Sequence, residues 1–252
     1  MLAVQNLSIQ FGGLKAVSNF NLNIKAKEVV GLIGPNGAGK TTVFNMLTGV
    51  YAPTDGKISY LGQDLNGLKP YAITEKKIAR TFQNIRLFSD LSVIDNVKIS
   101  FNYSVKYSLL DSILRTSKFK LEEEKMESRA LKLLKAFSLD EKKDDFAKNL
   151  SYGEQRRLEI ARALAATPSL LLLDEPAAGM NPKETTELMD MINWIKDEFN
   201  ISVLLIEHDM KLVMGICEKI VVLDYGKKIA EGTPEEIKNN PDVIKAYLGE
   251  EA

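Results

Sequence analysis

The amino-acid sequence predicts an α/β fold in which a parallel-sheet core is interrupted by an inserted helical segment. Short, continuously apolar runs such as residues 170–173 are typical of parallel strands that are covered on both faces. A glycine-rich loop at residues 34–39 lies between one such run and a helical run. Helical periodicity replaces the strand pattern over about residues 90–167, which we expect to form the insertion.

The first third of the chain is predicted to be mainly β structure. Apolar residues roughly alternate with polar ones over residues 2–11, two glycines then mark a turn, and residues 16–24 continue the β pattern. Residues 28–33 read as a short buried strand. We then expect a helix at residues 41–47, a strand at 57–61, a turn at 62–64 and a short helix at 71–80.

The middle of the chain is predicted to be helical. Residues 98–120 have weak, mixed periodicity, whereas residues 121–137 form a clearer helix, whose first turn we expect to hold Glu122, Glu123 and Glu124. A charged loop at residues 138–149 precedes a strong helix that begins at Ser151. Ser151 and Glu154 have the spacing of a capping box, and Pro168 follows the end of this helix.

The last third alternates between strands and helices. Strands are predicted at residues 170–173, 203–206 and 220–223, with a helix at residues 183–199 and a turn at Gly226 that leads into residues 228–230. Two small helices close the chain. The first carries a capping box of Thr233 and Glu236, and the second starts at Pro241 and ends at Gly249.

The composition is that of an ordinary globular protein, with 252 residues, of which 45% are hydrophobic and 27% charged. With a formal net charge of −1, the protein has no overall positive charge that would attract nucleic acid, so we expect no nucleic-acid partner. The one cysteine, Cys217, permits no internal disulfide, which fits a reducing compartment. Because no apolar run approaches ~20 residues and no signal-peptide pattern is present, we expect a protein neither secreted nor embedded in a membrane.

Residues 34–42 fit the phosphate-binding pattern G-x-x-x-x-G-K-[ST]. The glycines let backbone N–H groups curl around a phosphate, and the helix after them presents its positive end to the same anion. Lys40 is placed to reach the β- and γ-phosphates, and the Thr41 hydroxyl to ligate Mg²⁺. The alternative, a chance glycine turn, is disfavoured by the flanking strand and helix. The predicted phosphate-contacting residues are Asn36, Gly37, Ala38, Gly39, Lys40, Thr41 and Thr42.

Two carboxylates follow the strand at residues 170–173, at the strand end where open α/β sheets bind ligands. We expect Asp174 to hold Mg²⁺, through water, and Glu175 to activate the attacking water as general base. His208, the only histidine, follows another core strand and is placed to bridge the γ-phosphate and that water. Gln83 is placed to sense Mg²⁺ and water. The alternatives are two solvated acids at a strand end and a structural histidine.

The sequence Leu150-Ser151-Tyr152-Gly153-Glu154-Gln155 resembles the signature motif of ABC-type ATPases. The motifs also stand in the order of that family, from the phosphate loop through Gln83, the signature, Asp174 and Glu175 to His208, and the resemblance covers essentially the whole chain. It implies the ABC ATPase fold, a P-loop NTPase (RecA-like) core with an N-terminal antiparallel β subdomain and an inserted α-helical subdomain. The core would occupy residues 1–89 and 168–232, the helical subdomain 90–167 and a helical tail 233–252.

The resemblance also implies a nucleotide-dependent head-to-tail dimer that encloses two ATP molecules with Mg²⁺. Ser151, Gly153 and Glu154 of one subunit would cover the γ-phosphate that Lys40 of the other subunit holds. Phe11 matches the aromatic residue that stacks on adenine, and Val17 would join it in the nucleotide site. The alternative is that Phe11 is merely a residue of the strand core.

Three positions depart from the family pattern. Tyr152 replaces a glycine common in the signature, and Glu154 replaces the usual glutamine. Asn181 replaces an aspartate in the loop after Glu175, which removes a charge near the expected subunit boundary but keeps a hydrogen-bonding side chain. These departures put details of the coupling between subunits in question.

Five segments of the chain look like the larger ATP-binding subunit of bacterial and archaeal branched-chain amino acid importers, the LivG type. They are residues 79–88, 150–161, 175–182, 206–210 and 246–249. This implies two integral-membrane permease subunits, a sister ATPase or a second copy, and an extracytoplasmic substrate-binding protein. The chain would lie at the cytoplasmic face of the cell membrane, held through the permease. We expect the apolar segment 83–97 to contact the permease; the alternative is that it is core between lobes.

The leading hypothesis is therefore a transport ATPase that converts ATP and water to ADP and phosphate and drives branched-chain amino acid uptake. A related ABC system for urea or amide import, or for lipopolysaccharide export, stays open because the cargo contacts the permease. A soluble ABC ATPase acting in repair or translation is disfavoured by the single phosphate loop and the lack of heptads. A GTPase switch is disfavoured because no Asn-Lys-x-Asp motif is present.

Overall fold

The computed structural model describes residues 1–105 and 107–248. The chain divides into two compact units, one built from Met1–Gln83 and the chain after Pro168, the other from Asn84–Pro168. The predicted helix end at Gly249 and the last residues of the predicted tail, 249–252, lie outside the described residues. The domain boundaries that the resemblance implies stay a prediction.

The described elements are ten strands and ten α-helices. The strands are β1 (Leu2–Phe11), β2 (Leu14–Ile24), β3 (Val29–Ile33), β4 (Asp55–Tyr60), β5 (Gln63–Asp64), β6 (Ile78–Arg80), β7 (Leu170–Asp174), β8 (Ser202–Ile206), β9 (Lys219–Asp224) and β10 (Lys227–Gly232). The helices are α1 (Lys40–Leu47), α2 (Pro70–Glu75), α3 (Val93–Lys98), α4 (Leu109–Ile113), α5 (Ser117–Ala136), α6 (Tyr152–Ala165), α7 (Pro182–Glu198), α8 (Met210–Ile216), α9 (Pro234–Lys238) and α10 (Pro241–Leu248).

The first unit contains an antiparallel sheet of strand order β2-β1-β4-β5. Leu2 of β1 pairs with Ile24 of β2 on one side and with Tyr60 of β4 on the other. The expected N-terminal antiparallel sheet is therefore present. The segment predicted as a turn at residues 62–64 is only partly a turn, because β5 folds back to pair with the end of β4.

The second sheet of this unit has the order β10-β9-β3-β8-β7-β6. Strands β9, β3, β8, β7 and β6 are parallel, and β10 adds an antiparallel edge. Every residue of β3, β7 and β8 is buried, as expected for parallel strands covered on both faces. In register, Ile206 of β8 faces Leu32 of β3 and Asp174 of β7. The loops that follow these three strands therefore leave the sheet at one edge.

The predicted helix at residues 71–80 is wrong in its second half. Helix α2 ends at Glu75, and Lys77 has the left-handed φ of 66°. The next three residues form β6, which pairs in parallel with Leu170–Leu172 of β7. Sheet pairing with a strand 92 positions away overrides the local helical pattern.

The second unit is helical over the residues that the structure describes, with α3 packed against α5 and α6. Helix α5 begins at Ser117, capped by Thr116, whose hydroxyl accepts from the Phe119 amide at 3.4 Å. The predicted start at residue 121 is therefore wrong, and Glu122–Glu124 lie past the first turn. Short 3₁₀ turns at Asp140–Lys142 and Ala147–Asn149 interrupt the predicted loop. The capping box at Ser151 is confirmed.

Among residues 1–105 and 107–248, no helix combines the length and the apolar character that crossing a bilayer requires.

Candidate active site

The phosphate-loop sequence forms a tight loop between β3 and α1. Gly34 has φ 147°, and a Cβ added there would collide with the carbonyl oxygen of Leu223. Gly37 has φ 80° in open space, so its conformation rather than crowding favours glycine. Gly39, with φ 105°, is the N-cap of α1, which starts at Lys40. The loop therefore curls directly before the positive end of a helix, as phosphate binding requires.

Lys40 is buried inside this loop, with its side-chain Nζ donating to the carbonyls of Gly34 at 2.7 Å and Pro35 at 2.9 Å. Burial lowers the pKa of Lys40, while the nearby carboxylates of Glu175 and Asp174 act to raise it. The structure thus brings the predicted phosphate lysine close to both predicted carboxylates, although they stand more than 130 positions apart in the sequence.

Asp174 has a partner that the sequence did not indicate. Nη2 of Arg80 lies 2.6 Å from Oδ2 of Asp174, and both side chains are almost fully buried. Nη1 of the same guanidinium donates to Asn45 at 2.7 Å and Thr48 at 3.2 Å, both in or beside α1. Arg80 therefore ties the strand end that carries Asp174 to the helix after the phosphate loop. Arg80 appeared in the sequence only as part of the family resemblance, with no partner to mark it.

We expect Arg80→Lys to lower the free energy of unfolding by about 1.5–3 kcal/mol, because a lysine cannot bond the carboxylate and both α1 side chains together. Urea unfolding followed by circular dichroism measures this. Lys57→Arg, at an exposed ion pair with Asp64, is the matched control and should change stability little. Equal stability of Arg80→Lys and the wild type would contradict the bridging role.

Glu175 is held by both of its carboxylate oxygens. His208 Nε2 lies 2.6 Å from Oε1, and Gln83 Nε2 donates to Oε2 at 2.7 Å. The Glu175 backbone has a left-handed φ of 48°, uncommon for a residue with a side chain, while its amide still pairs with Ile206 at 2.9 Å. The three residues predicted to act in hydrolysis therefore come together, each from a loop after a different strand.

Glu207 organises the loops around this carboxylate, and sequence reasoning assigned it no role. Its buried side chain accepts from the backbone amides of Ala177 at 2.6 Å, His208 at 2.9 Å and Asp209 at 3.3 Å. Ala177 lies two residues after Glu175, so Glu207 joins the loop that carries Glu175 to the loop that carries His208. The one signal in the sequence was an acid directly before the lone histidine.

The side-chain atoms that we expect to coordinate Mg²⁺ are all oxygens. Thr41 contributes a hydroxyl in the first turn of α1, Asp174 a buried carboxylate, and Gln83 the amide oxygen opposite the nitrogen that bonds Glu175. Hard oxygen ligands of this kind suit Mg²⁺. Among the described residues there is no group of three or more acidic, histidine or cysteine side chains that could hold a metal ion without help from other ligands. The residues fit an ion that also takes ligands from a phosphate chain and water.

Phe11 lies at the end of β1 and is 45% exposed, so the alternative that it belongs to the strand core is wrong. Its ring meets Tyr51 edge-on, with centroids 5.2 Å apart. An exposed ring face is what stacking on a base requires. Val17 is fully buried beside Gly39, where it packs under the phosphate loop.

The C-terminal helix borders the phosphate loop, a placement that the sequence did not predict. A cavity of about 720 Å³ is lined by Asn36 and Gly37 of the loop, by Tyr225, and by Asp242 and Lys245 of α10. Burial raises the pKa of Tyr247 on the same helix, and a hydrogen bond with the Gly34 backbone opposes that rise.

In the helical unit, Ser151 and Glu154 form the predicted capping box. The Ser151 amide and hydroxyl both donate to Glu154 Oε2 at 3.0 Å, and Lys142 Nζ donates to Oε1 at 2.7 Å. The Lys142 hydrogen bond, together with those from Ser151, lowers the pKa of Glu154 to about 2. Glutamate in place of the family's glutamine thus forms an ion pair with Lys142 while keeping the cap. Gly153 lies in the first turn of α6.

A buried ion pair lies one turn further along α6. Arg156 Nη1 donates to Glu159 Oε2 at 2.8 Å, and at most 1% of either side chain is exposed. The other oxygen of Glu159 accepts the Arg86 backbone amide at 3.1 Å, and Arg156 Nη2 donates to the Tyr152 hydroxyl at 3.4 Å. The Arg156–Glu159 ion pair therefore connects the segment after Gln83 to Tyr152 of the signature motif. Tyr152, in place of the family's glycine, supplies an anchor for Arg156.

Asn181 is the N-cap of α7, and its side-chain oxygen accepts from Lys183 at 3.0 Å and Glu184 at 3.1 Å. An aspartate would cap the helix in the same way. The departure from the family pattern therefore keeps the local structure and changes only the charge.

The chain is similar to two sequence families and to a named relative. A family model described as ABC transporter matches residues 17–178, and one described as branched-chain amino acid ATP-binding cassette transporter matches residues 227–252. The high-affinity branched-chain amino acid transport ATP-binding protein LivG of Salmonella typhimurium is 50% identical over 250 residues, 99% of this chain and 98% of the relative.

Two solved structures are also similar. The ADP conformation of MJ1267, an ATP-binding cassette of an ABC transporter, has a TM-score of 0.85 at 29% identity, and the match covers 99% of both chains. The dimeric, post-hydrolysis structure of the ATP-binding cassette MJ0796, bound to ADP and Pi, has a TM-score of 0.77 at 27% identity. That match covers 93% of this chain and 99% of the other.

Proposed function

The chain belongs to the ABC transporter family, and we propose on this basis that it is the ATPase subunit that powers uptake of branched-chain amino acids through a membrane permease. Identity of 50% along the full length to a LivG protein, and the match of residues 227–252 to the branched-chain amino acid family, favour this cargo over the alternatives of urea, amides or lipopolysaccharide.

The observation that carries the proposal is the Glu175 carboxylate, which two side chains hold in place beside the phosphate loop. Glu175 is held by Gln83 and His208, and its charge partly offsets the lowering of the Lys40 pKa by burial. A lysine that can bind phosphate and a carboxylate that can activate water thus lie at the same edge of the sheet. Family membership alone would not require this arrangement to be intact.

In the mechanism, Lys40 binds the β- and γ-phosphates, and the loop amides and the N-terminus of α1 neutralise further charge. Oε1 or Oε2 of Glu175 accepts a proton from the water that attacks the γ-phosphorus, and ADP leaves. Thr41, Asp174 and Gln83 would hold Mg²⁺, which would neutralise charge on the phosphate oxygens. Gln83 and His208 fix the carboxylate in position, and His208 also reaches toward the γ-phosphate.

We expect His208→Ala to lower kcat for ATP hydrolysis by about 10²-fold and to leave ATP affinity within a factor of a few, since His208 bonds the base rather than the loop. His208→Gln keeps a donor and should recover part of the rate. Steady-state ATPase assays and nucleotide-binding titrations measure both quantities. Normal kcat in His208→Ala would remove the histidine from the mechanism.

We propose further that catalysis takes two subunits in head-to-tail contact, with Ser151 and Gly153 of one covering the γ-phosphate on Lys40 of the other. The start of α6 supports this, because the first amides of a helix lack acceptors within the helix and its N-terminus attracts anions. That MJ0796 forms a dimer with ADP and Pi is consistent with such pairing. Phe11, exposed at the end of β1, would stack on the adenine.

The remaining partners are proposed from the resemblance. They are two permease subunits, a sister ATPase or a second copy, and an extracytoplasmic binding protein. The chain would act at the cytoplasmic face of the membrane through the permease. Residues 83–97 are the proposed contact, and the bond from the Arg86 amide to Glu159 gives that segment a fixed base in the helical unit.

The proposed function is tested by ATPase assays on the purified chain, alone and assembled with its permease and binding protein in vesicles. We expect branched-chain amino acids with binding protein to stimulate hydrolysis in the complex. Lys40→Ala, which removes the phosphate lysine, is the inactive control. Intact nucleotide binding without any stimulation by the permease pair would count against the transport role.

A further inference from the structure

Helix α4 in the helical unit presents an apolar face to solvent. Leu109 is 84% exposed, Leu110 69%, Ile113 74% and Leu114 72%. The pairs Leu109–Ile113 and Leu110–Leu114 are each four residues apart, so the four side chains form one continuous stripe. A surface helix normally turns its apolar face inward, and a contiguous exposed apolar patch marks an interaction site.

The outward orientation of this face is fixed by the polar residues around it. Asp111 accepts from the Ser108 amide at 2.9 Å, from the Ser108 hydroxyl at 2.8 Å and from the Thr116 hydroxyl at 3.0 Å. Before α4, the Tyr107 ring packs edge-on against Phe119 with centroids 5.0 Å apart, and its hydroxyl donates to Glu123 at 2.9 Å. The polar side of α4 is thus bonded to its own unit, which leaves the leucine side facing outward.

The chain directly after the stripe is rich in basic residues. Over residues 107–120 the sequence holds three cations and one acid, Asp111, which is occupied by the hydrogen bonds above. The cations are Arg115, Lys118 and Lys120, all exposed. Of the next acids, Glu122 and Glu123 are paired with Lys125 and Lys98, and Glu124 is exposed. Three exposed basic side chains thus follow the apolar face within the next few residues of the chain, ahead of these acids.

We propose that α4 is a membrane-surface anchor whose apolar face enters the interface of an anionic lipid bilayer while Arg115, Lys118 and Lys120 lie among the phosphate headgroups. Aliphatic side chains with a basic rim are the chemistry that such interfaces bind. The nearness of a membrane rests on the proposed function, but affinity for lipid does not need the permease. The anchor would hold the helical unit at the membrane during the transport cycle.

The test is co-sedimentation of the purified full chain with vesicles of phosphatidylcholine alone or mixed with phosphatidylglycerol. We expect binding to the mixed vesicles that weakens with salt. The double variant Leu110→Gln/Ile113→Gln should lose at least about tenfold in affinity. Lys118→Gln/Lys120→Gln should lose roughly fivefold per cation removed.

Leu61→Gln, which changes an equally apolar and 59% exposed residue in the other unit, is the matched control and should bind like the wild type. Nucleotide binding and circular dichroism of each variant report folding. The proposal is overturned if the wild type does not bind anionic vesicles or if the double variant binds them equally well. A chain that binds vesicles but is never stimulated by a permease would instead refute the proposed function alone.

Discussion

Glu175→Gln should bind ATP with nearly wild-type affinity and lose turnover by about 10²–10⁴-fold. The amide keeps the size of the carboxylate and can still bond His208, but it cannot accept the proton of the attacking water. Because ATP is then bound and not hydrolysed, we also expect the ATP-bound dimer to accumulate. Single-turnover assays with labelled ATP separate the chemical step from nucleotide release and measure the loss directly.

Glu187→Gln is the control for this variant, since it makes the same chemical change on an exposed side chain of α7. It should hydrolyse ATP at the wild-type rate. If Glu175→Gln did the same, Glu175 would not be the base, and the clamp formed by Gln83 and His208 would have another purpose.

The second large effect is on stability. Glu159→Gln should lower the stability of the helical unit by about 3–5 kcal/mol, because the Arg156 guanidinium is fully buried and loses the carboxylate that it bonds. The glutamine keeps an oxygen for the Arg86 amide, so the loss reports the ion pair rather than that hydrogen bond. Urea unfolding followed by circular dichroism and by the fluorescence of labels in the helical unit measures the change.

The double variant Arg156→Met/Glu159→Gln is the control, because it removes the buried charge together with its partner. Replacing a buried ion pair by residues of similar size is often close to neutral. We expect the double variant to recover most of the stability lost by the single one. An equal or larger loss in the double variant would show that the pair stabilises through packing rather than through charge.

Most of the strands and the glycine-rich loop between β3 and α1 could be predicted from the sequence because their signals are local. The apolar run of β7 identifies a buried strand, and the glycines after β3 identify the loop that leads into α1. Capping boxes at Ser151 and Thr233 were also visible, since both partners stand three residues apart. Local patterns of this kind depend little on the rest of the fold.

The missed features depend on contacts between distant positions. Arg80 meets Asp174 across 94 residues, and β6 exists only because β7 lies beside it. Glu159 looked like an ordinary helix acid, and only the fold reveals that it is buried with Arg156 and bonded to Arg86. The apolar face of α4 was hidden for a different reason, since a short leucine-rich run reads as core until its exposure is known.

The proposal that two subunits share the site of ATP hydrolysis is tested most directly by the oligomeric state of Glu175→Gln. Light scattering after size exclusion should show a monomer without nucleotide and, with Mg-ATP, a dimer that retains two ATP molecules. Gly153→Asp added to this variant should abolish the dimer and spare ATP binding, whereas Gly153→Ala should not. A monomer that shields bound ATP from solvent at every protein concentration, unaffected by Gly153→Asp, would contradict the account.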